Sequence, residues 1–97
     1  MHIEIPHKFS KAQATKNVKQ ALEENRSKLE GHATIEEERW EGDTLHLAAV
    51  FQGQKISGTL EVADKNFILD ATLPLLWRMF EGKIEKAIKD QVTHLLS

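Results

Sequence analysis

Five histidines, His2, His7, His32, His46 and His94, are the first residues to test for chemistry. Imidazole is the commonest transition-metal ligand, and short-range sites pair two of them at i,i+4 on a helix or combine them with cysteine. Here no two are four apart and the chain has no cysteine, so surface histidines with no metal and no cofactor are the expectation. Gly53-Gln54-Lys55-Ile56-Ser57-Gly58-Thr59 echoes a phosphate-binding loop. The lysine that should follow the second glycine is missing, and a strand pattern follows where a helix is needed. It reads as a hairpin turn and a strand glycine. Glu36, Glu37, Glu38, Glu41 and Asp43 invite an acid/base or cation reading. Consecutive strand residues alternate faces, so these carboxylates do not converge, and a solvated strand edge is expected instead. No nucleophile–base pair presents itself, so no catalytic residues are assigned and the chain is not expected to be an enzyme. Lys8, Lys11, Lys16 and Lys19 read as the wet side of a helix rather than a patch for an anionic surface.

Leu75-Leu76-Trp77-Arg78-Met79-Phe80 is different. Five large apolar residues in a run of six exceed what one helical stripe can bury. Either they plug the core where a helix enters, or they form an exposed patch for a partner, a ligand, a granule surface or a second copy of the chain. Leu75, Trp77, Met79 and Phe80 are the candidate contact residues. On a helix, Leu76 and Phe80 would share the stripe that continues to Ile84 and Ile88. Trp77 would then sit at its margin, one edge on the core and the other free for a partner.

The elements that must hold this segment are bounded by length and composition. Ninety-seven residues make one domain, 1–97, with a single modest core. Apolar residues are 40% and charged residues 29%, a globular balance. Thirteen basic against fifteen acidic residues leave a charge of −2, which argues against nucleic acid as a partner. No apolar run approaches the ~18 residues of a membrane span. Met1 to Phe9 lacks a signal-peptide core, so a cytoplasmic chain is the expectation.

Ile3 and Ile5 alternate with His2 and Glu4 as a short strand ending at Pro6. Ser10, three residues before Gln13, opens a helix from about Lys11 to Glu30, stopped at Gly31. From Ala33 to Leu73 the period becomes alternating. Turn signals at Gly42-Asp43, Gln52-Gly53-Gln54 and Asp64-Lys65-Asn66 divide this stretch into four strands. Leu45, Leu47, Ala49 and Phe51 share one face with Ile56, Gly58, Leu60, Val62, Phe67, Leu69, Ala71 and Leu73. Leu60 and Leu69 are expected to be fully buried. Ile35 and Trp40 have opposite parity, so a bulge must lie between them if both face the core, and a bulged, charged strand belongs at an edge. After Pro74 a second helix carries Leu76, Phe80, Ile84, Ala87, Ile88, Gln91 and Leu95 on one stripe, with Gly82 loosening it from inside. Both helices can bury their stripes only on the one apolar sheet face. The expected fold is an α+β two-layer sandwich of order β-α-β-β-β-β-α, a curved antiparallel five-stranded sheet gripping two helices.

Ile3-Glu4-Ile5-Pro6-His7, Trp40-Glu41-Gly42-Asp43-Thr44-Leu45, Ile56-Ser57-Gly58-Thr59-Leu60-Glu61-Val62 and Phe80-Glu81-Gly82-Lys83-Ile84-Glu85, in this order, resemble the polyhydroxyalkanoic acid system family of small bacterial granule-region proteins. The resemblance implies a non-enzymatic accessory role at intracellular storage-polyester granules, binding the granule or its proteins, and brings no catalytic motif. The element order also looks like the TBP-like or helix-grip topology of START-type lipid-binding domains. That likeness implies an alternative role, a small module holding an acyl or other apolar ligand between sheet and helices.

Overall fold

The computed structural model describes residues 1–96, without the side chain of Leu95. In chain order the elements are β1 (His2–Pro6), α1 (Lys11–Glu24), α2 (Arg26–His32), β2 (Ala33–Glu41), β3 (Thr44–Phe51), β4 (Gln54–Val62) and β5 (Asn66–Thr72). A 3₁₀ helix (Leu75–Phe80) and α3 (Glu81–Leu96) follow. The five strands form an open, wholly antiparallel sheet in the order β1-β5-β4-β3-β2. Short turns build most of it. Gln52 and Gly53 both take positive φ, 51° and 76°, the signature of a two-residue hairpin turn that follows the twist of its strands. Gln54, expected in that turn, is already the first residue of β4.

Rows of side chains cross the sheet on its helix side, and one runs Ile3–Leu69–Leu60–Leu45–Trp40. The buried core gathers toward one end of this face. Ile3, Ile5, Leu45, Val62 and Phe67 meet Ala14 and Val18 of α1 and Leu96 of α3. Leu60 and Leu69 are only half-buried, contrary to expectation. Each lines a hollow flanking α3 instead of being capped by a helix.

Ser10 caps α1 as its spacing requires, its Oγ accepting the Gln13 N–H at 3.1 Å. The expected single helix to Glu30 is instead two. Asn25 leaves helical geometry (φ −105°, ψ 6°), and its side-chain amide donates to the Ala21 carbonyl at 2.8 Å. An asparagine amide competes for backbone partners in this way and breaks the run. Gly31 does not stop the helix. It lies inside α2, and the chain passes straight from His32 into extended Ala33.

In β2 the register slips between Ile35 and Glu37, leaving Glu36 as the extra residue of a bulge. This puts Ile35 and Trp40 on the same side, with β2 at the sheet edge. The slip also turns Glu38 toward the helices, where the Arg26 guanidinium donates to both its oxygens at 3.1 and 2.9 Å. Lys19 lies over the Trp40 ring, 5.0 Å from its centroid.

The stripe of α3 is Ile84, Ile88, Val92 and Leu96. Ala87 and Gln91, expected on it, are exposed, and the Leu95 side chain lies outside the described residues. Leu76 and Phe80 do not belong to this helix at all, and Gly82 sits in its first turn rather than its interior.

Candidate apolar binding site

Buried Leu73 follows the last residue of β5 at the base of the site, and Pro74 leads from it into the 3₁₀ helix. The Trp77 N–H donates to the Pro74 carbonyl at 2.9 Å, which starts the 3₁₀ helix. A 3₁₀ helix has about three residues per turn, so its side chains stand in three rows. Only one row can face the sheet. Trp77 takes it, its ring meeting Phe51 edge to face. The Leu76–Met79 row and Leu75 then point to solvent, and Phe80, on the Trp77 row, stays exposed where the 3₁₀ helix gives way to α3. Leu75 is 75% exposed, Leu76 72%, Met79 81% and Phe80 55%.

Of the four residues singled out in the sequence, Leu75, Met79 and Phe80 are therefore exposed, and Trp77 faces inward. Leu76 is the member that sequence reasoning missed. An α-helical period assigns it to the buried stripe, and the tighter 3₁₀ period releases it.

Behind Trp77 lies a hollow of about 390 Å³ between sheet and α3. Leu47, Ala49, Phe51 and Ile56 form one wall, Leu69, Ala71 and Leu73 another, and Trp77, Ile84 and Ile88 the roof. Ser57 and Thr59 border it, but strand parity turns their side chains to the uncovered face. The signal that could have revealed this hollow was the small residues Ala49, Gly58 and Ala71, where a closed core would place larger ones. Gly58 has no alternative: a Cβ there would stand 2.5 Å from the Asp70 carbonyl oxygen.

A second hollow, about 430 Å³, lies between α1–α2 and α3. Val18, Ala21, Leu22, Leu29, Leu60, Val92 and Leu96 line it, with Asn25, Lys28 and Gln91. At the far end of α3 the Met1 ammonium donates to the Ala71 carbonyl at 2.8 Å and lies 3.3 Å from Glu81, fastening β1 to the start of that helix.

The uncovered sheet face is polar. Arg39, His46, Thr59, Asp70 and His2 form one row across all five strands. His2 is hydrogen-bonded to Glu4 and Asp70, and these bonds raise its pKa above the ordinary 6.5. Arg39 holds the Glu41 carboxyl below its usual range. His7 is a structural group. Its Nδ1 accepts the Phe9 N–H and its Nε2–H donates to the Ala63 carbonyl. Among the described residues no three His, Asp or Glu side chains converge as a metal site. What the apolar site offers is contact area and shape.

The family described as "Putative polyhydroxyalkanoic acid system protein" matches residues 1–96. The chain belongs to this family. The matched span of this polyhydroxyalkanoic acid system protein runs from β1 to the end of α3, and so takes in the 3₁₀ helix and both hollows. Neither a curated protein nor a solved structure matches the chain. Among the described residues no helix is long and apolar enough to cross a membrane.

Proposed function

We propose that the chain is a non-enzymatic accessory protein of the polyhydroxyalkanoate system that docks on the storage-polyester granule in the cytoplasm. The observation that carries this reading is the outer patch of the 3₁₀ helix, where Leu75, Leu76, Met79 and Phe80 are all exposed within one short segment. Isolated surface leucines need no explanation, but four exposed large apolar side chains within six residues suit a surface that is covered in use. A polyester surface is apolar and extended, and a protruding patch can lie on it without a matching pocket. The family membership supplies the polymer.

The test is co-sedimentation with protein-free amorphous polyester particles. Wild type is expected to pellet and to stay bound at high salt, because apolar contact is not screened. Leu76→Asp combined with Met79→Asp is expected to abolish pelleting while leaving the melting temperature in place, since both side chains already face water. Binding to native granules alone, and not to bare particles, would assign the patch to a granule-associated protein instead. Pelleting unchanged by the double substitution would remove the patch from the function.

A second reading is favoured by the hollows flanking α3. We read the sheet with its longer helices on one face as a helix-grip, TBP-like arrangement. In that reading the chain is a small START-like module holding an acyl or other hydrophobic ligand between sheet and helices.

A further inference from the structure

The two hollows beside α3 differ in the charge they offer. No charged side chain lines the one roofed by Trp77, and the Met1 ammonium at its border is committed to the Ala71 carbonyl and Glu81, whereas Lys28 of α2, an exposed residue, lies on the lining of the other. Neighbouring cations are committed elsewhere, Arg26 to Glu38 and Lys19 to the Trp40 ring. Among the described residues Lys28 has no ion-pair partner. Apolar side chains from three elements, Val18 and Leu22 of α1, Leu60 of β4 and Val92 of α3, make the walls, and Gln91 adds an amide. At about 430 Å³ the hollow has the size of small-molecule sites, which combine apolar walls with a few placed polar groups. A neutral chain would leave the ammonium unused, and a polyanion would find a single cation. The complement is one anionic head on an alkyl tail.

We propose that this hollow binds a free aliphatic carboxylate, its tail against Leu22, Leu60 and Val92 and its head on the Lys28 ammonium. The inference rests on the second reading above, that a hydrophobic ligand sits between sheet and helices, and adds the place and the head group. The flexible lysine stem lets the ammonium follow the carboxylate while the stem covers the chain.

The test is an amide-shift titration of ¹⁵N-labelled protein with sodium decanoate below its micellar range, and separately with decanol. Decanoate is expected to shift the amides of Leu22, Lys28, Leu60 and Val92. Lys28→Gln is expected to weaken decanoate roughly tenfold, the loss of one charge-assisted hydrogen bond, and to leave decanol unchanged. Lys28→Arg should restore it. If Lys28→Gln leaves decanoate affinity unchanged, or the shifts centre on Phe51 and Trp77, a hydrophobic ligand binds but the carboxylate assignment is overturned. If neither decanoate nor decanol binds, the ligand reading itself falls with it.

Discussion

Phe51 and Trp77 meet edge to face with ring centroids 5.7 Å apart, joining the end of β3 to the 3₁₀ helix. This is the favoured geometry for two aromatic quadrupoles and contributes about 0.5–1.5 kcal/mol beyond burial. Trp77→Ala is expected to lower unfolding free energy by about 1–3 kcal/mol, less than a fully buried tryptophan would lose. Trp77→Phe, which keeps an edge to present, should lose under half as much. Urea denaturation of the two variants checks the order. Equal losses would mean that the ring contact contributes nothing.

The uneven burial of the sheet predicts an uneven cost of truncation. Leu45 is fully buried and Leu60, its cross-strand neighbour, borders a hollow. Leu45→Ala is expected to cost about 2–5 kcal/mol, and Leu60→Ala about 1–2 kcal/mol, because the site already has space beside it. A chemical-denaturation experiment that ranks Leu60→Ala as the costlier change would place the core elsewhere.

Arg26 and Glu38 are each about a quarter to a third exposed, and their contact is bidentate. A double-mutant cycle of Arg26→Ala and Glu38→Ala should give a coupling of about 1 kcal/mol, at the upper end for partly exposed pairs. Deleting Glu36 is expected to leave this coupling intact. Removing the one extra residue of the bulge keeps Ile35, Glu38 and Trp40 on the helix side and makes β2 regular. The deletion should fold, but should self-associate more than wild type in analytical ultracentrifugation, because a straight edge strand is open to pairing.

His2 makes the fold sensitive to pH through surface contacts. Its raised pKa means that the protonated ring stabilises the native state. That contribution is complete below the unfolded value of 6.5 and fades as pH rises through the folded value. Glu4, its partner, has a lowered pKa, so its contribution is present above its unfolded value of 4.5 and is lost as pH falls. The stability difference between wild type and His2→Ala should therefore be greatest between about pH 4.5 and 6.5. Urea midpoints across the pH range measure it, and an NMR titration of the His2 ring should report a pKa above 6.5. A ring titrating at or below that value would mean the two carboxylates do not hold it in solution.

The sheet was legible because its signals are local. Alternation and turn residues placed β2 to β5, and the parity conflict of Ile35 and Trp40 called for a bulge between them, which is found at Glu36. The helices were less legible. The break at Asn25 depends on one amide choosing the Ala21 carbonyl, which periodicity does not register. The segment after Pro74 was recognised as having too many apolar residues, yet their directions depend on whether the turn holds three residues or nearly four. That choice decided which of Leu76 and Trp77 faces water. The hollows left only a faint trace, the small residues Ala49, Gly58 and Ala71 beside one of them, because an absence of packing is a property of how three elements meet and belongs to no single one.

The position of β1 has a consequence for how the chain reaches this fold. The hairpins from β2 to β5 close over short turns and can form as soon as their strands exist. His2 and its partner Asp70 are 68 residues apart, and Ile3 and Ile5 enter the core only when β1 is seated beside β5. Closing that loop costs chain entropy that no local contact returns in advance. On a ribosome β1 must wait, without its strand partner, until β5 has emerged.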